Sequence, residues 1–137
     1  MNFKESAKRF RAYDTKNEKF AFVGFHILGE VTLLGALDIY KHENSLSLDE
    51  TLELKITQFS GFSDDYAADI YEGDILRSFA KTETLNLLVK IENGCFVLYL
   101  RLGCWGLLER YTELTKRYED TPVKVIGNIY ENPQLLD

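Results

Sequence analysis

A mainly β chain, with antiparallel hairpins closed into a small barrel or sandwich and one late helix, is the fold class this sequence predicts. Two observations carry it. Aromatic residues make up 13% of the chain, with nine Phe and eight Tyr, types that suit a pleated, half-buried surface. In LNLLVKIENGCFVLYLRL two apolar runs meet at Asn93 and Gly94, the pair favoured in a two-residue type I′ turn because both accept positive φ.

The remaining elements follow in order. Phe10 to Asp14 and Lys19 to Phe25 are aromatic-rich runs separated by Thr15, Lys16 and Asn17, which predicts a hairpin. Both faces of the second run are apolar, so it should lie between two layers. Glu30 to Tyr40 is apolar and reads as one or two strands, and the polar run Lys41 to Thr51 reads as an exposed loop or short helix. From Leu52 to Phe59, Leu52, Leu54 and Ile56 alternate with Glu53, Lys55 and Thr57, the pattern of a half-buried strand.

Gly61 to Asp69 is rich in acids and turn formers and should be a loop leading to a strand over Ile75 to Phe79. Further on, Leu107, Leu108, Tyr111, Leu114 and Tyr118 share one helical face, which predicts a helix ended by Thr121 and Pro122. VKVIGNIY then returns as a last strand before a frayed tail. The tripeptides DIY at Asp38 and Asp69 and NIY at Asn128 are irregularly spaced, and read as a shared strand ending rather than a repeat.

The chain has 137 residues, enough for a single domain over 1–137 that buries about 68–70% of its extended surface without a disulfide or metal. With 22 acids against 16 bases, its net charge of −6 repels polyphosphate and anionic membranes. Cys95 and Cys104 lack the spacing of a redox or zinc motif and read as buried thiols in a reducing compartment. The polar N-terminus has no apolar signal core and no later run is long enough to span a membrane, so the expected location is the cytoplasm.

Three groups of residues invite a functional reading. Asp64, Asp65, Asp69, Glu72 and Asp74 offer oxygen ligands for a hard cation or an acid–base pair, and a metal-assisted hydrolase reading centres on Asp69, Glu72 and Asp74. Their spacing matches no calcium loop, and acids flanking Gly73 equally keep a tight bend wet. Arg9, Arg11, Tyr13 and Lys19 combine positive charge with aromatics, as a small barrel that stacks nucleic-acid bases would need. His26, His42 and Cys104 stand outside any nucleophile or ligand pattern, and the glycines form no phosphate loop, so no cofactor is expected.

The stretches GFSDDYAADIYEGDIL and VIGNIYENPQLLD resemble the YopX family of phage and prophage proteins, and KRFRAYDTKNEKF and ITQFSGF extend the likeness towards the N-terminus. DYAAD, from Asp65 to Asp69, departs from the tighter turn usual in that family. The resemblance implies a mainly β fold, a phage or prophage origin and self-association, with no catalytic residues to carry across. It also implies structural roles for Ile70, Tyr71, Glu72, Gly73, Asp74, Gly127, Asn128 and Tyr130, with Ile70, Ile75 and Leu76 buried, the acids on an exposed bend, and the second motif closing the sheet near its other end. The function expected is a non-enzymatic, self-associating interaction module with a host or phage protein as possible partner; the alternatives are the nucleic-acid-binding barrel and the hydrolase.

Overall fold

The computed structural model describes residues 8–27, 30–79, 84–101, 103–111 and 122–137; the side chains of 8, 22–36 and 79 lie outside that description. Contacts divide the chain into two compact units, Met1–Phe59 and Ser60–Asp137. The architecture is mainly β and antiparallel.

In the first unit β1 (Lys8–Asp14) pairs with β2 (Lys19–Ile27) across the polar turn and with β3 (Lys55–Ser63) on its other side. A strand paired on both edges has little surface left, and Ala12 and Tyr13 are 0% and 5% exposed. Glu30 to Tyr40, expected as strand, is instead most of helix α1 (Glu30–Glu43). Its Leu, Ala and Glu content favours a helix, and Leu37 and Tyr40, three apart, turn towards the same small core with Leu46 and Leu54. The DIY at Asp38 is therefore helical and shares nothing with the strand at Asp69.

Helix α2 (Leu48–Leu52) is set by a capping box: the Ser47 hydroxyl accepts from Glu50 N–H, and the Glu50 carboxylate accepts from Ser47 N–H. The Ser47 bond and the Lys16 ammonium hold the Glu50 carboxyl below its ordinary range. Leu52 ends this helix and is exposed, so the strand expected from Leu52 begins only at Lys55. Its phase is also reversed, with Ile56 exposed and Thr57 buried, because the Thr57 hydroxyl accepts a bond from Arg11 Nε at 3.2 Å.

β3 continues past Phe59 into the second unit, where β4 (Asp69–Tyr71) is its sheet neighbour. The larger sheet there combines β5 (Asp74–Phe79), β6 (Thr84–Glu92), β7 (Cys95–Leu100), β8 (Gly103–Leu107) and β9 (Val123–Asn128) in the order β8-β7-β6-β5-β9. Asn93 and Gly94 have φ of 51° and 78°, as the type I′ turn requires. Leu87, Val89 and Leu98 from its centre meet Ile70, Leu76, Leu108 and Val123 in the main core.

Strand β8 was not anticipated: two glycines in five residues hide its strand character. Of the late helix, residues 108–111 are helical, and 112–121 lie outside the described residues. Both cysteines are exposed, contrary to expectation, because Cys95 opens a strand at a turn and Cys104 sits on the outermost strand. The tail is tied down rather than frayed: Pro133–Leu136 forms a 3₁₀ turn, and Asn86 Nδ2 donates to Leu135 O at 2.8 Å.

Candidate functional site

The two motif stretches are neighbours in space. Asp74 and Asn128 are direct partners in the ladder between β5 and β9, so the second motif lies against the first rather than at a distant end. Gly73 stands at φ +90° in the bend between β4 and β5. Its N–H donates to Val89 O and its carbonyl accepts from Ile129 N–H, both at 2.8 Å. A Cβ there would make only ordinary contact with Tyr130 Cε2 at 3.4 Å, so glycine answers the backbone conformation. Gly127 is the sterically confined one, since an added Cβ would collide with Asn132.

The acids around this junction bind backbone. Asp64 Oδ1 accepts from Tyr66 N–H and Ala68 N–H, each at 2.8 Å, which closes the loop. Its Oδ2 accepts from Val125 N–H at 2.9 Å, and Asp65 Oδ2 accepts from Val123 N–H, so the pair caps the outer edge of β9. Asp74 is 2% exposed and accepts from Tyr71 N–H at 2.8 Å, which places it in the interior and not on the exposed bend expected. Asn128 orders the final turn, its Oδ1 accepting from Tyr130 N–H and Glu131 N–H. Asp69 and Glu72 flank these groups and have interactions of their own. Among the described residues, no three His, Cys, Asp or Glu side chains are grouped to hold a metal.

One buried hydroxyl lies near this loop. Burial pushes the Tyr111 phenol above its ordinary value, an effect opposed by Ser78 and reinforced by the charge of Asp65. Its ring packs edge-to-face on Trp105, with centroids 5.0 Å apart.

Of Arg9, Arg11, Tyr13 and Lys19 in the first unit, Arg11 and Tyr13 are buried. Arg11 and Tyr13 are 7% and 5% exposed, and neither presents a face on which a base would stack. Arg11 lies over the Phe20 ring at 4.8 Å, and Tyr13 meets the same ring edge-to-face at 5.0 Å. Arg9 lies over Phe59 at 3.8 Å, and the exposed Lys19 donates to Asn44 Oδ1 at 2.8 Å. At the adjacent turn Asp14, fully buried, accepts from Lys16 N–H, Asn17 N–H, Asn17 Nδ2 and the Tyr40 hydroxyl. Burial alone would raise the Asp14 carboxyl, but these bonds hold it below its ordinary value. Burial, the bond to Asp14 and the Asp14 charge push Tyr40 up.

His42 is exposed and 3.6 Å from Asp38, on the outer face of α1. The side chain of His26 lies outside the described residues. Among the described residues, recesses of about 210 Å³ beside Phe62 and Phe96 and about 160 Å³ beside Asn86 and Leu135 fall below the roughly 300–1,000 Å³ of small-molecule sites. Among the described residues, no helix is long and apolar enough to cross a membrane.

The fold and this junction define a β-rich protein in which motif residues hold strand edges and turns in place. The YopX protein family model matches residues 9–137, and the chain belongs to that family, which associates it with phage. The fold is shared with the crystal structure of protein EF1440 from Enterococcus faecalis, at 22% identity, over 95% of this chain and 98% of that one, with a TM-score of 0.59. No curated protein matches the chain.

Proposed function

We propose that this chain is a non-enzymatic interaction module that associates with itself and acts in the bacterial cytoplasm during a phage or prophage programme. One observation carries the reading: three of the five carboxylates that suggested catalysis are engaged as acceptors for backbone N–H groups. Asp64, Asp65 and Asp74 bind five such groups in all, so their chemistry serves the sheet. A carboxylate that accepts several backbone bonds is a poor base and a poor ligand, because both roles need its lone pairs.

Light scattering over a wide concentration range tests self-association, and affinity capture from host cells with nuclease treatment tests the partner. The expected result is a mass above that of one chain, together with protein partners retained after nuclease. A protein that stays monomeric and retains nothing would overturn the reading. Material lost entirely on nuclease treatment would move the function to Arg9 and Lys19.

A further inference from the structure

We propose that the face of the five-stranded sheet turned away from the main core binds a short acidic segment of a partner protein. This rests on the reading of the chain as an interaction module and names the partner's chemistry. Leu76, Leu87, Val89 and Val123 belong to the core, so Arg77, Asn86, Lys90 and Lys124, each next to one of them in a strand, point to the other face. Arg77 is the direct partner of Asn86 on β6 and of Lys124 on β9, so the three form one row across strands about 4.8 Å apart. Arg101, just past the end of β7, lines a recess together with Asn86.

These cations are unmatched. On a chain of net charge −6, none of Arg77, Lys90, Arg101 and Lys124 forms an ion pair among the described residues. Arg77 donates from Nε to Asn86 Oδ1 at 3.1 Å, which fixes the guanidinium and leaves its terminal N–H groups for another acceptor. Lys90 lies over the Tyr99 ring at 4.4 Å and Lys124 over the Tyr66 ring at 5.5 Å, contacts that hold an ammonium without neutralising it. Two acids are near: Glu92 takes the Tyr99 hydroxyl, and Asp137 lines the recess with Arg101 without pairing to it. Like charges directly opposite in a ladder, as Arg77 and Lys124 are, destabilise a sheet unless an anion lies between them. A local conflict of this kind is expected where a protein keeps a site.

Charge complementarity selects the occupant. A guanidinium oriented by Asn86 presents parallel N–H donors that fit a carboxylate, and Lys124 and Lys90 extend the positive field across and along the sheet. Phosphate would suit the same donors, but a nucleic acid brings a long run of negative charge up to a net-acidic chain. A segment with a few carboxylates confined to this face avoids that repulsion. Lys90, Arg101 and Lys124 are exposed, so such a segment reaches them without opening the core.

Fluorescence anisotropy of a labelled hexaglutamate tests the proposal. The double variant Lys90→Glu, Lys124→Glu is compared with a control of equal net charge in the first unit, Lys19→Glu, Lys55→Glu, and circular dichroism confirms that each is folded. Wild type and control should bind, more weakly as salt is raised, and the Lys90, Lys124 variant at least about tenfold less tightly. Arg101→Glu repeats the test in a turn, without altering a strand, and should weaken binding at least about threefold. Equal weakening in both double variants would make the effect one of net charge and overturn the face. Absence of binding to wild type, or tighter binding of a single-stranded oligonucleotide of equal charge, would overturn it too. Affinity capture separates this from the reading beneath it: a protein partner retained alike by wild type and the Lys90, Lys124 variant sinks the face and leaves the interaction module standing. A wild type that retains no partner and binds no hexaglutamate overturns both.

Discussion

The two edges of the five-stranded sheet are treated in opposite ways. At β9, an acidic loop folds back and two carboxylates take the N–H groups of Val123 and Val125. At β8, five uncharged residues end the sheet with a bulge at Trp105. An edge satisfied by charged acceptors cannot pair with a further strand, whereas at the uncharged edge no such acceptor stands among the described residues. Acids clustered beside a glycine thus read as chemistry in sequence and act as an edge cap in structure.

The largest effect is expected from breaking the capped edge. Asp64→Ala removes the acceptor for Tyr66, Ala68 and Val125 N–H, and should cost about 3 kcal/mol in urea unfolding, since bonds to charged groups contribute about 1.5–3 kcal/mol each and are not additive. Loss below about 1 kcal/mol would mean water replaces the carboxylate, and the edge is not truly capped. Gly73→Ala comes next, at about 1–2 kcal/mol, because φ of +90° is strained for any side chain.

Tyr40→Phe tests another buried carboxylate, that of Asp14 in the first unit, and should cost about 1 kcal/mol near neutral pH. Its pH dependence has two signs. The depressed Asp14 value contributes stability that is present above its unfolded value of 3.8 and is lost as pH falls through the lower folded value. The raised Tyr40 value contributes stability that is complete below 10.0 and is lost as pH rises towards the higher folded value. Tyr40→Phe should therefore abolish this alkaline loss and make the acid loss shallower, as read from unfolding midpoints across pH. The smallest effect is expected at the open edge: Leu107→Ser, at a residue 38% exposed, should change monomer stability by no more than about 0.5 kcal/mol. A larger loss would show Leu107 to be a core residue and weaken the contrast between the edges.

Strands were legible where local chemistry sufficed. The hairpin at Asn93 and Gly94 needs only two residues that accept positive φ, and the turn after Asp14 needs only polar residues between apolar runs. The capping box at Ser47 and Glu50 was equally local, and its S-x-x-E spacing was the signal that would have placed α2. Glu30 to Tyr40 was misread because an apolar run carries no clear period, and its helix became evident only where Leu37 and Tyr40 met Leu46 and Leu54. The phase of β3 was misread for a similar reason, since Thr57 is buried by Arg11, a partner 46 residues away.

The sequence by itself determined the mainly β class, the tight turns and the family, because these depend on residue type and short spacing. Tertiary structure decided what the acids do: Asp64 and Asp65 reach the edge of β9 across about sixty residues, a pairing no local pattern encodes. It also decided which described strand is outermost, because strand order is set by how the chain returns on itself, and exposure at Cys104 and Trp105 reflects that order together with the bulge.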